Sequence, residues 1–202
     1  MYKVVTDADS GAVQAERDLT RRILTHRGER SNVWEVTCTT WQHAERKRDS
    51  IHTITTTEVP DLCYIISVNI ISSANAQFLQ LLPKITGQQQ KSTVIIKGAE
   101  YDLKDFRVRI GRVYEKQNPT HVVVEVEYRP CVVVDECASL LQDFLDLFLR
   151  APSRRDDASQ MEQTTYHASR VLVDYRKTIL KEKDIFSLKH AACLYVKLLT
   201  SG

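Results

Sequence analysis

Hydrophobic and polar positions alternate most clearly over residues 121–129, where Val122, Val124, Val126 and Tyr128 form one face and Val123, Glu125 and Glu127 the other. That two-residue period predicts a strand. The same alternation marks residues 105–114, with Phe106, Val108 and Ile110 set against Arg107 and Arg109. β-Branched and aromatic residues crowd 33–41, 51–57, 62–71 and 93–97, which adds further strands, and 2–6 is a short strand candidate at the start. Helical spacing appears four times. A helix entered at Asp9 or Ser10 carries Val13, Ala15, Leu19, Ile23 and Leu24 along one side and is expected to end at Gly28. A second candidate starts at Ser72 or Ser73, places Phe78, Leu79, Leu81 and Leu82 inward, and should end or kink at Pro83. A third, 135–150, keeps only Ser139, Gln142, Asp143 and Asp146 as a polar stripe; so much apolar surface predicts cover from two directions. The last comprises two stretches, one through Ala168, Leu172, Tyr175 and Ile179, the other through Ile185, Leu188, Ala192, Tyr195 and Leu199.

Antiparallel strands joined by short turns, at 117–120 (QNPT) for example, predict an α+β fold: an antiparallel β-barrel or strongly curved sheet with flanking α-helices. The domain reading is a β-barrel domain over 1–149 with two inserted helices and a closing helix, then a flexible loop at 150–159. C-terminal helices over 160–202 would pack on the barrel or on a partner. A length of 202 residues suits one such domain, able to bury about 70% of its unfolded surface.

Composition narrows the function classes. Apolar residues make up 43% and charged residues 27%, and the net charge of +2 gives no field that would draw nucleic acid or a membrane. The five cysteines are odd in number and form no Cys-x-x-Cys, which points to buried thiols in a reducing compartment. No basic-then-apolar leader and no apolar run of about 18 residues occurs, so the reading is a soluble intracellular chain.

One constellation could carry chemistry. Glu125, Glu127 and Arg129 share a strand face at steps of about 7 Å. Two carboxylates so placed can hold a hard divalent cation while an arginine engages phosphate. This resembles the Glu-x-Glu-x-Lys strand of the triphosphate tunnel metalloenzymes, which hydrolyse phosphoanhydrides inside a barrel. Arg107 and Arg109 would add a basic face, but no second Glu-x-Glu strand is present. The competing reading is an amphipathic strand whose glutamates face water. The six histidines show no zinc-ligand spacing, and Cys137 at a helix start reads as a packed thiol rather than a nucleophile. Arg46-Lys47-Arg48 and Arg154-Arg155 read as solvated loops, and Trp34 and Trp41 fall on opposite strand faces, so they form no stacking platform. Catalytic, cofactor and metal residues are therefore expected to be none.

A longer resemblance covers about 50 residues. Gly98-x-x-Tyr101 and Asp105-Phe106-x-Val108-Arg109-x-Gly111-x-Val113, followed by Val124-Glu125-Val126-Glu127-Tyr128, Pro130-Cys131-Val132-Val133, Cys137, Ser139-Leu140-Leu141, Phe144-Leu145 and Phe148-Leu149, resemble the family of subunit 20 of the Mediator complex. Arg129 stands where that family's pattern has Gly. The resemblance implies a nuclear, non-enzymatic β-barrel subunit of the Mediator head module. It would pair directly with subunit 18, be tethered by the C-terminal segment of subunit 8, and relay regulatory signals to RNA polymerase II. It implies no cofactor and no direct contact with nucleic acid or membrane; the residues that bind partners stay unknown. The alternative is the metal-dependent triphosphate hydrolase using Glu125, Glu127 and Arg129.

Overall fold

Strand pairing dominates the architecture. The computed structural model describes residues 2–5, 9–43, 50–67, 70–131, 133–149, 167–170 and 186–200. Strands β1 (Tyr2–Val5), β2 (Glu29–Gln42), β3 (Ile51–Thr56), β4 (Leu62–Ser67), β5 (Ile70–Asn75), β6 (Gln89–Leu103), β7 (Phe106–Glu115), β8 (Asn118–Tyr128) and β9 (His167–Arg170) form one sheet. Its order is β5-β4-β3-β2-β6-β7-β8-β1-β9, and the pairings are antiparallel. Helices α1 (Asp9–Thr25), α2 (Leu82–Thr86), α3 (Val134–Leu149) and α4 (Leu188–Thr200) flank it. The α+β expectation holds in its open form: β5 and β9 are the two ends of the sheet, which among the described residues curls without closing into a barrel.

The curl is strong, and two contacts demonstrate it. The turn between β3 and β4 brings Glu58 to Arg109 of β7, although three strand spacings of about 4.8 Å separate β3 from β7 along the sheet. Tyr195 of α4 likewise touches both Trp34 of β2 and Glu125 of β8. Gly98 and Gly111 face each other across β6 and β7. A Cβ on Gly98 would run into the backbone of Ile110 and Gly111, so the close approach of the two strands requires glycine there.

Each face of the sheet has its own core. On the convex side Ala12, Ala15, Leu19 and Ile23 of α1 and Leu145 and Phe148 of α3 pack on Tyr101, Val108, Ile110, Val122 and Val124. α1 ends as its sequence requires, with Arg27 at φ 62 and the Gly28 amide bonded to the Ile23 carbonyl; the left-handed residue is Arg27 rather than Gly28. Arg22 donates to the carbonyls of Phe148 and Leu149, supplying the cation that the end of α3 lacks in its own last turn. On the concave side Ala191, Ala192, Tyr195, Leu198 and Leu199 of α4 pack on Trp34, Val36, Cys38, Ile54, Tyr64, Ile66 and Ile96.

Several expectations need correction. The stretch 62–71 is not one strand but the end of β4 and the start of β5, with Ser67 paired to Ile70. Residues 72–75 therefore belong to β5, not to a helix. A single 3-10 turn, Ala76–Gln80, follows, capped by the Asn75 side chain on the Gln77 amide, and Pro83 opens α2 instead of ending a helix. Proline is favoured there because its missing N–H has no intrahelical partner to lose. The turn before β8 is tighter than expected: Lys116 and Gln117 take positive φ and Pro119 lies inside the strand, beside a register shift. Helix α3 packs on the sheet and against α1, and leaves Leu140 and Leu147 exposed among the described residues.

The helical face drawn through Ala168 begins instead in β9, which pairs with β1 along Tyr2–Arg170 to Val5–His167. An otherwise open strand edge offers this segment backbone partners that outweigh its helical spacing. The other residues of that face, the loop at 150–159, and the clusters Arg46-Lys47-Arg48 and Arg154-Arg155 lie outside the described residues. Cys38, Cys63, Cys137 and Cys193 are buried free thiols, and Cys131 is half-buried. Burial pushes the Cys38 thiol up to about 12, and Cys137 is also raised by burial, which favours packing over reactivity. Among the described residues no helix is long and apolar enough to cross a membrane.

Candidate functional site

The alternating face of β7 and β8 that holds the sequence's charged motif is the concave one, shared with the α4 core. Gly111 and Val113 continue the Arg107–Arg109 side of β7, and Val123 continues the Glu125–Glu127 side of β8. In register, Arg109 lies between Glu100 of β6 and Glu125 of β8. The expectation that these glutamates face water is therefore overturned for Glu125, which is 9% exposed. It faces inward because the sheet curls and α4 closes over that end of the face.

Arg109 is the hub, with a side chain only 5% exposed. Its Nε donates to Glu100 Oε2 at 2.8 Å and its Nη1 to Glu125 Oε1, while Nη2 pairs with Glu58 Oε1 at 3.2 Å and lies 3.9 Å from Glu127 Oε2. Arg107 joins from the rim, at 3.2 Å from Glu127 and 3.5 Å from Glu100. The remaining oxygens of the two buried carboxylates are also engaged. Ser31 and Asn32 donate to Glu100 Oε1 at 3.1 and 3.3 Å, and the Tyr195 hydroxyl donates to Glu125 Oε2 at 2.6 Å. A guanidinium is suited to this position because its planar fork addresses several carboxylates at once.

The electrostatics follow from that geometry. Burial alone would lower the Arg109 pKa, but the charges around it, Glu125 foremost, hold it above its ordinary value, so it stays cationic. Burial would raise Glu100, yet its hydrogen bonds from Arg109 and Asn32 and the two arginine charges outweigh that and leave it lowered. Glu58 ends raised, first by burial and further by Glu125 and Glu127, against the pull of Arg109. Tyr195 is fully buried beside Glu125 and is pushed well up, which keeps its hydroxyl a donor.

The structure thus separates the three residues of the metal reading. Glu125 is committed to Arg109 and Tyr195, Glu127 is half-exposed on Arg107, and Arg129 pairs with Asp102 at the strand's end. Among the described residues no group of His, Cys, Asp and Glu could hold a metal ion. The basic face expected of Arg107 and Arg109 is not presented at Arg109, which is buried and ion-paired. Arg129 needs no glycine-like backbone; its amide bonds the Asp105 carbonyl at 2.9 Å. Trp34 and Trp41 do take opposite faces, Trp34 against Tyr195 and Trp41 donating to Thr53 at 2.9 Å.

Three members of the cluster have no sequence signal of their own: Glu58, Glu100 and Tyr195. Glu100 becomes readable only from the tight turn that pairs Leu103 with Phe106, since counting back along both strands then sets Glu100 opposite Arg109.

The family model described as the TATA-binding related factor of subunit 20 of the Mediator complex matches residues 4–190. The chain is 31% identical to human Mediator of RNA polymerase II transcription subunit 20 over 142 residues, 65% of this chain and 67% of that relative. It is 28% identical to subunit 20b of Arabidopsis thaliana over 158 residues, 70% of each. A solved chain from the Mediator head module of Schizosaccharomyces pombe aligns over 72% of this chain and 91% of its own, at 13% identity and a TM-score of 0.41.

Proposed function

Because the chain belongs to the family of subunit 20 of the Mediator complex, we propose that it is a non-catalytic subunit of the Mediator head module, acting in the nucleus on RNA polymerase II transcription. Its work is done by surfaces. It pairs with subunit 18, is tethered by the C-terminal segment of subunit 8, and passes regulatory signals toward the polymerase. Such a pairing buries on the order of 800 Å² per partner.

The observation that carries the non-catalytic part is the fate of the concave face. In a tunnel enzyme that face would receive substrate and metal. Here α4 packs on that face and reaches the Arg109 cluster through Tyr195, with both oxygens of Glu125 engaged by protein donors. A carboxylate so held is an internal counter-ion rather than a vacant ligand.

Tagging the protein in its own cells and purifying it from nuclear extract tests this reading. The other Mediator subunits are expected to co-purify in fixed proportion, with no Mg²⁺- or Mn²⁺-dependent phosphate release from inorganic triphosphate by the isolated chain. Phosphate release that disappears in Glu127→Gln, or a tagged chain recovered without Mediator, contradicts it.

A further inference from the structure

The described sheet has a bare end at β5, and the chemistry around it is unlike the rest of the chain. Residues 62–83 contain no Asp, Glu, Lys or Arg, in a chain of which 27% is charged. This run comprises β4, β5, the 3-10 turn and the first two residues of α2. β5 pairs with β4 on one side and is the last strand of the sheet on the other. Its side chains are half-buried or exposed throughout, and Ile70 is 58% exposed. Leu62 and Leu81, within the same run, and Ile85, just beyond it, are exposed as well.

An edge strand presents a row of unpaired amides and carbonyls. Proteins that keep such an edge solvated guard it with lysine, proline or a bulge. β5 has no lysine, no proline, and runs in continuous register with β4 from Ser67–Ile70 to Leu62–Asn75. Depletion of charge around exposed aliphatic residues is the composition of the centre of a protein interface. The two features select one kind of occupant. Backbone groups in strand spacing ask for another strand, and an edge with no formal charge gives a charged segment nothing to pair with.

We propose that β5 is an assembly edge that takes an uncharged β-strand from another subunit of the complex, extending the sheet across the interface. The proposal rests on the subunit reading above and adds to it the surface and the mode of contact.

Hydrogen exchange of residues 70–75, measured in the isolated chain and in the tagged, purified assembly, tests it. Fast exchange in the isolated chain and at least tenfold slower exchange in the assembly is the expected result. Equal exchange in both overturns the proposal while leaving the subunit reading intact. Protection in the isolated chain that rises with its concentration also overturns it, since a second copy then covers the edge. If no assembly is recovered, the subunit reading fails and this one with it. The double variant Ile70→Lys with Ser72→Lys changes two exposed positions, so its melting temperature should match the parent. Its incorporation into the assembly should fall at least tenfold; unchanged incorporation is a further contradiction.

Discussion

Arg109→Met should destabilise the protein by about 3–5 kcal/mol, because it leaves the buried Glu125 without a counter-charge among the described residues and Glu100 with only the rim contact from Arg107 at 3.5 Å. Glu100 and Glu125 are each about nine-tenths buried, and Arg109 is the cation that contacts both. Glu58 is already raised by burial and would lose the larger of the two arginine charges that oppose the rise. The effect should reach α4, since Tyr195 is bonded to Glu125 and packs on Trp34. Tyr195→Phe removes one donor from a buried oxygen and should cost less, about 1–3 kcal/mol. Urea unfolding of both variants measures the two losses. Combining Arg109→Met with Glu100→Gln and Glu125→Leu should recover most of the stability, since no buried charge then lacks a partner. An Arg109→Met protein with an unchanged midpoint would mean that the cluster does not hold the concave face together.

Gly98→Ala should cost about 3 kcal/mol, the upper end of what an added methyl does in a packed interior. The reason is what the methyl meets. At Gly98 the obstructing atoms are the Ile110 carbonyl and the Gly111 Cα, which belong to the paired strand and cannot swing aside. At Gly111 the nearest atom is the Ile96 side chain at 2.8 Å, followed by the Lys97 carbonyl and the Trp34 ring, both at 3.1 Å. Two of these three can shift, so Gly111→Ala should cost nearer 1–2 kcal/mol. Thermal melts of the two variants should keep that order. The reverse order would show that β6 and β7 do not need their close approach to curl the sheet.

Strands were the most readable elements because their alternation is set by single residues. The inward valines of β8 and the Arg107–Arg109 face of β7 fall where a two-residue period puts them. The role of the charged face was not readable, for two physical reasons. Counting back from the Lys116–Gln117 turn would set Arg109 opposite Val124; the register shift beside Pro119 moves Glu125 there instead. Pro119 marks a break in the ladder there but not which strand absorbs the extra residue, and that choice decides which side chains meet. The second reason is distance along the chain. Tyr195 lies 70 residues from Glu125 and reaches it only because the sheet curls around α4. No helix spans 72–82, for a local cause: an Ile-Ile-Ser-Ser-Ala-Asn run fits strand and helix alike, and pairing with β4 settles the choice.

The mass of this chain co-expressed with the subunit 18 of its own organism, read by light scattering on the purified material, bears most directly on its role as an assembly subunit. A stable 1:1 heterodimer at micromolar concentration is the expected result. A clean monomer with subunit 18 present would contradict it.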